Sequence, residues 1–381
     1  MNGQTVLTNA RLVLDDEVVH GTVLIEHDRI MAVDQGDSGL PGAVDLEGDY
    51  LVPGLVELHT DNLEKHFTPR PGVKWPQMPA IFAHDAAIAG AGITTVFNAV
   101  ATGDVFVRSG RVERFEEMAA SIRRAADSQL TRAEHLLHIR CELAYEPTLE
   151  NFHRMLGEPL LRLVSVMDHS PGQRQFANID KYREYYQGKY RLSEDEIQAL
   201  IDRQTEVSQR VGRQQRAAIA GLCREHGLAL ASHDDATMEH VQEAVADGVS
   251  IAEFPTTVEA ARASRENGLH VLMGAPNVVR GFSHSGNVSA RDLADGGLLD
   301  TLSSDYVPNS LLHAAFILEH HIGHIGLPQA IAMVSSNPAD AAGLHDRGRV
   351  AVGLRADLVQ VRTLQETPVV RQVWRAGRRV V

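Results

Sequence analysis

Eight apolar runs of strand length, separated by longer stretches of helical periodicity, constrain this 381-residue chain more than any other feature. They are VPGLVELH (52–59), ITTVFNAV (93–100), LLHIRCELA (136–144), LVSVMDH (163–169), LALASHD (228–234), IAEFPT (251–256), HVLMGAP (270–276) and LLDTLSSD (298–305). The intervals read as helices. In TMEHVQEAVADG (237–248), Met238, Val241, Ala244 and Val245 share a face and Gly248 ends the pattern. Strands alternating with helices make a parallel sheet, and eight of them close a cylinder. The expected fold class is α/β, a (β/α)8 barrel of the TIM-like type.

Both chain ends have a different texture. Residues 4–52 hold short β-rich runs broken by Gly, Asp and Pro, and RVAVGLRADLVQVRTL and PVVRQVWRAGRRVV return to it near the C-terminus. The expected organisation is a composite β-sandwich module from 1–52 plus 346–381 around a barrel at 53–345. An insertion near 172–227, rich in Tyr, Arg and Gln, is expected to cover one end of the barrel.

Composition narrows the function classes. Lys+Arg 36 against Asp+Glu 50 gives a net charge of -14, so no global positive field recruits nucleic acid. No stretch of about 18 apolar residues suggests a membrane span. Cys141 and Cys223 cannot build a disulfide framework, and the chain reads as a soluble cytoplasmic protein. The 19 histidines raise the expectation of a metal or proton-transfer site.

In such a barrel, chemistry gathers where strands end and βα loops begin. His59 and Asp61 close the first run two residues apart, on one face, as two ligands of a divalent cation require. Glu142 ends the third; it suits a bridge between two cations, or an ion pair with Arg140. Asp168 and His169 end the fourth, and adjacent residues face opposite ways, so one of them, with His169 favoured, is the ligand. His233 ends the fifth, where it is a ligand or a hydrogen-bonded structural histidine. Asp305 follows the eighth, placed to hold a metal and act as general base, or to cap the following helix. Cations cluster in the same loops: Lys65, His66, Arg70 and Lys74 after the first strand, Arg174 and Lys181 after the fourth, Arg280 and His284 after the seventh. With Asn277, they could cradle a polyanionic small molecule. The ligand types suit zinc foremost, and manganese or iron as well, at one or two ions per chain. A homo-oligomer is compatible with the sequence.

VPGLVELHTD after a β module, SSNPADAAGL (335–344) and GRVAVGLRADLVQV resemble the amidohydrolase superfamily of metal-dependent hydrolases across essentially the whole chain. More narrowly, LVPGLVELHTDNLEKHFTPRPGVKWP, SVMDHSPGQRQF and GAPNVVRGFSHSGNVSA resemble the diphosphatases of the carbon–phosphorus lyase pathway of phosphonate catabolism. That resemblance implies hydrolysis of α-D-ribose 1-methylphosphonate 5-triphosphate to the 5-phosphate and diphosphate. It implies His59 and Asp61 as the first-strand metal pair, His233 as the fifth-strand ligand and Asp305 as the eighth-strand aspartate. Two positions depart from the superfamily pattern. No lysine ends the fourth strand, so Glu142 is the substitute bridge. The sixth strand carries Glu253 where many relatives have histidine, which leaves His169 to supply an imidazole. The rival readings are a C–N bond amidohydrolase, such as a deacetylase or cyclic amidase, and a noncatalytic scaffold.

Overall fold

Gly54 divides the first apolar run between two sheets. The computed structural model describes residues 3–70, 72–104, 114–176, 178–283 and 286–381. In it Tyr50–Pro53 and Leu55–Thr60 are separate strands. A Cβ on Gly54 would lie 2.3 Å from Thr94 Oγ1 and 2.9 Å from Asp357 Cβ, so only glycine allows this passage.

The strands in chain order are β1 (Gln4–Val13), β2 (Val18–Glu26), β3 (Arg29–Gln35), β4 (Val44–Asp45), β5 (Tyr50–Pro53), β6 (Leu55–Thr60), β7 (Ile93–Ala101), β8 (Glu134–Glu142), β9 (Leu161–Met167), β10 (Ala229–His233), β11 (Ile251–Glu253), β12 (His270–Gly274), β13 (Thr301–Ser303), β14 (Leu358–Leu364), β15 (Thr367–Arg375) and β16 (Arg378–Arg379). One sheet runs β16–β15–β14–β5–β1–β2–β3, with β4 alongside β1; the other holds β6 to β13 as successive neighbours. Each expected strand is present. The structure trims their ends: the eighth run narrows to Thr301–Ser303 and the fourth stops at Met167. The class is the α/β barrel with an added sheet from both chain ends.

By contacts, Met1–Asn98, Ser121–Leu136 and Met273–Val381 make one compact unit, and Ala99–Ala120 with Leu137–Leu272 make another. In the first, β5 runs parallel to β1 and antiparallel to β14, so the C-terminal strands extend the N-terminal sheet. Leu7, Leu12, Ile25, Leu51, Leu358 and Trp374 pack into one core there. Burying each large apolar side chain contributes about 1.5–3 kcal/mol, enough to hold the two ends together without a disulfide. Arg355 ties the C-terminal segment to the start of β8, its guanidinium bonded to both Glu134 and Asp357. The first and last parallel strands also meet within this unit, through a parallel bridge between Thr60 and Asp305.

In the second unit β8, β9, β10 and β11 pair in parallel, Cys141 opposite Val166 and His233 opposite Glu253. The segment 172–227 is largely helical, with helices Ile179–Tyr190, Glu194–Val207 and Arg213–His226. Ser193 and Glu196 form a reciprocal capping box at the second. Phe176, Tyr182, Tyr186, Ile197 and Ile201 give the segment its own apolar cluster. Among the described residues no helix is long and apolar enough to cross a membrane.

Candidate metal centre

In the first unit the strand-end residues are tied together by backbone. The Asp305 amide donates to the His59 carbonyl at 3.1 Å, and the Asp305 carbonyl accepts from the Asp61 amide at 3.2 Å and from Thr60 Oγ1 at 2.8 Å. Asp305 sits at φ 53, a left-handed conformation that aspartate tolerates better than most residues. It does not cap the next helix, Ser310–His321, whose N-cap is Asn309. Asp61 precedes helix Asn62–Phe67, and its side chain makes no cap hydrogen bond. His59, Asp61 and Asp305 are thus tied to one another at the strand ends by main-chain bonds.

Beneath them lies a carboxylate outside the strand-end motif. Glu57 is fully buried on β6 and accepts from the His59 amide at 2.7 Å and the Ser304 amide at 2.5 Å. Burial dominates and pushes its pKa up to about 7, against the lowering effect of those hydrogen bonds.

The second unit gathers a donor set of its own. His169 Nε2, His233 Nε2 and an Asp234 oxygen form a group with ligand atoms within 4.8 Å of one another. Each imidazole stands 3.6 Å from Asp234 Oδ2. Behind each, Nδ1 meets a buried glutamate: His169 with Glu142 Oε2 at 2.6 Å, His233 with Glu253 Oε2 at 2.7 Å. A carboxylate on Nδ1 turns the bare Nε2 toward a metal, a recurrent device of histidine-ligated sites. At His169 burial disfavours the imidazolium, but Glu142 and Asp234 outweigh it and push the pKa up to about 10. Surroundings that hold a proton so strongly suit a divalent cation in its place, so the donor set fits one.

This geometry bears on two expectations. Glu142, expected as a bridge between cations, spends its oxygens on His169, accepting from both its ring and its amide, and on the Ala144 amide. It stands against His169 Nδ1, and among the described residues its ion-pair partner is His169 rather than Arg140. Asp168 and His169 both lie past the end of β9 at Met167, so strand alternation does not govern them. Asp168 is engaged by Ser170 and by Ser208 Oγ at 2.9 Å, which leaves His169 to face Asp234.

Asp234 and the supporting role of Glu253 are what sequence reasoning missed. Asp234 lies next to His233 and should face away from it on a regular strand. At φ 57 the chain has left the strand and turns its carboxylate back. Phe254 also takes φ 55 just beyond β11, rare for a bulky residue, and packs edge-on against His233 with ring centres 5.4 Å apart. Positive φ at successive strand ends is strain of the kind found at functional sites.

The expected cations divide. Lys65, Arg70, Lys74 and Arg280 are exposed in the first unit, Lys65 contacting the Tyr306 carbonyl and Arg280 lying 4.6 Å from the Phe282 ring centre. His66 is half-buried, and Asn277 uses its side-chain oxygen to accept from the Ala290 amide at 3.0 Å. Lys181 is exposed on a helix of the second unit. Arg174 is not a loop cation at all: it is buried and bonded to Asp235 and Glu243, and burial, foremost, lowers its pKa to about 10. His284 lies outside the described residues.

Comparisons with known proteins give the family. The amidohydrolase family model matches residues 50–380. The α-D-ribose 1-methylphosphonate 5-triphosphate diphosphatase of Escherichia coli (strain K12) is 51% identical over 376 residues, 98% of this chain and 100% of that protein. Among solved structures, N-acetyl-D-glucosamine-6-phosphate deacetylase from Mycobacterium smegmatis has a TM-score of 0.64 at 18% identity, with 99% of this chain and 100% of that one covered. Dihydropyrimidinase from Brevibacillus agri has a TM-score of 0.55 at 14% identity, covering 99% and 95%. The two structures share the fold, and the full-length match carries the sequence with it: the chain belongs to the amidohydrolase family.

Proposed function

We propose that this chain is a metal-dependent hydrolase that cleaves α-D-ribose 1-methylphosphonate 5-triphosphate to α-D-ribose 1-methylphosphonate 5-phosphate and diphosphate. The observation that carries the reading is the 51% identity to the E. coli diphosphatase over the full length of both chains. The strand-end donors support it, because all of them belong to the region matched by the family model.

The residues that would hold a divalent ion lie at or just past the C-terminal ends of parallel strands: His59, Asp61 and Asp305 in the first unit, and His169, His233 and Asp234 in the second. Zinc is the first choice for this mixed imidazole and carboxylate set, ahead of manganese or iron. A divalent cation, when bound, makes water more acidic and stabilises charge on phosphoryl oxygens. Asp305 takes the proton of the attacking water, and attack falls on the α-phosphorus. Glu142 and Glu253 keep His169 and His233 in register from behind. Exposed Lys65, Arg70, Lys74 and Arg280 of the first unit offset the charge of the β and γ phosphates and of departing diphosphate, a task of positioning and electrostatics. The net charge of -14 makes such a local cluster necessary for a polyanion.

Phosphorus NMR on a panel of ribosyl triphosphates in 18O water tests this directly. Label in the sugar phosphate and release of intact diphosphate are expected. Label confined to diphosphate removes attack at the α-phosphorus. Turnover of N-acetyl or cyclic amide substrates, with no triphosphate cleaved, returns the chain to C–N hydrolysis.

A further inference from the structure

A buried line of polar side chains runs through the first unit, and the metal centre described above uses none of it. Asp85 accepts from the amides of Arg132 and Ala133, each at 2.9 Å, and meets His135 Nε2 at 3.2 Å. His135 Nδ1 lies 3.3 Å from Asn98 Nδ2, and Asn98 Oδ1 lies 2.9 Å from His84 Nε2. His84 Nδ1 lies 3.0 Å from Asn62 Nδ2, which in turn lies 3.3 Å from His66 Nε2. Asp85, His135, Asn98, His84 and Asn62 are all buried, whereas His66 is half-buried on the last turn of helix Asn62–Phe67.

The protons along this line are fixed from both ends. The Leu136 carbonyl, which can only accept, receives Asn98 Nδ2 at 3.0 Å. The Asn98 oxygen therefore faces His84, and His84 Nε2 must carry the proton. His84 is neutral, because burial foremost, and then neighbouring His135, lowers its pKa to about 3. Its Nδ1 is then bare and takes one Asn62 N–H. The other Asn62 N–H goes to His66 Nε2, which must be bare as well. From the far end, the Asp85 carboxylate requires Nε2–H on His135, whose bare Nδ1 accepts from Asn98. Both directions give one consistent pattern, and it leaves His66 with its proton on Nδ1. A proton on His66 Nε2 would face the Asn62 amide donor head-on.

We propose that the buried line Asp85–His135–Asn98–His84–Asn62 locks His66 as the neutral Nδ1–H tautomer, an uncharged hydrogen-bond donor for an anionic oxygen of the substrate. The phosphate oxygen as recipient rests on the function proposed above; the tautomer does not. Asn62 directly follows Asp61, so the line ends beside a strand-end residue already assigned to the metal. The five buried residues are positioning residues, and His66 is the one that meets substrate.

Long-range proton–nitrogen NMR of the histidine rings in the full chain at pH 7 reads the tautomer, with His66 assigned by its loss in His66→Gln. Nδ1–H on His66 is expected; Nε2–H or an imidazolium overturns the proposal. His84→Leu removes both the acceptor for Asn62 and the donor for Asn98. It is expected to mix the His66 tautomers and raise KM for the triphosphate about tenfold, with kcat changed by less than about twofold. His84→Gln, which keeps one donor and one acceptor, is expected to restore both readings. An unchanged His66 tautomer and KM in His84→Leu overturn the proposal. A parent protein that cleaves no triphosphate defeats the function instead, and the ring spectra still decide the tautomer.

Discussion

Replacing Glu57 should loosen the corner where the first and last parallel strands meet. Its carboxylate is fully buried and accepts from two backbone amides, those of His59 on β6 and Ser304 just after β13. A buried N–H left without an acceptor costs about 1–3 kcal/mol. Glu57→Ala orphans both, for about 2–6 kcal/mol in total, and the space left by the side chain adds to it. Glu57→Gln keeps the shape and one carbonyl oxygen but sets an NH2 against the second amide, so about 1–3 kcal/mol is expected. Urea unfolding followed by circular dichroism would show midpoints falling in the order parent, Gln, Ala, with similar slopes. Because the same amides set the backbone at His59 and Ser304, bound metal should fall in the same order by elemental analysis. A Glu57→Ala protein with the parent's midpoint and full metal content would refute the latch. A lower midpoint with full metal content would confine Glu57 to stability.

Other perturbations separate the remaining roles. Asp305→Asn should keep the fold, since its ties to His59, Thr60 and Asp61 are made by main-chain atoms and asparagine also tolerates φ 53; kcat should fall by about 10²–10⁴, measured as diphosphate release. Glu142→Gln weakens the carboxylate behind His169 Nδ1 and should lower metal affinity about 10–100-fold in a chelator competition, while Asp168→Asn should leave it unchanged. At Asp85, burial alone would raise the carboxyl, but the hydrogen bonds from His135, Ala133 and Arg132 outweigh it and hold the pKa below the usual value. Its stabilisation is therefore fully present above the unfolded value of about 3.9 and is lost as pH falls through the lower folded value. Asp85→Asn should flatten that acid limb in a plot of melting temperature against pH; an identical limb would show that Asp85 contributes nothing to it.

Period-two patterning points to His59 and Asp61 from the sequence alone, and where it fails the failures have a common physical origin. Glu57, His59 and Asp61 share one parity, so the rule that selects two of them also contains the third, which lies further back from the strand end. His169 and Asp234 are different. Alternation holds only while the chain is extended, and both residues lie past the last strand position, where Asp234 at φ 57 breaks the rule that would have sent it away from His233. Arg174 fails for another reason. A cation in a polar loop reads as solvated, and its burial follows from Asp235 and Glu243, which lie 61 and 69 residues along the chain. Local pattern carries no information about pairs so far apart. The same holds for the glutamates behind the two imidazoles: Glu142 and Glu253 come from the strands next to those that His169 and His233 end or follow, and only the register of neighbouring strands sets them opposite. Strand order was legible from the run of apolar segments, and given parallel neighbours in that order, a carboxylate at one strand end and an imidazole at the next become partners by geometry. The carboxylate–imidazole pairs follow from topology plus register, whereas the place of Asp234 beside His233 needed the backbone itself.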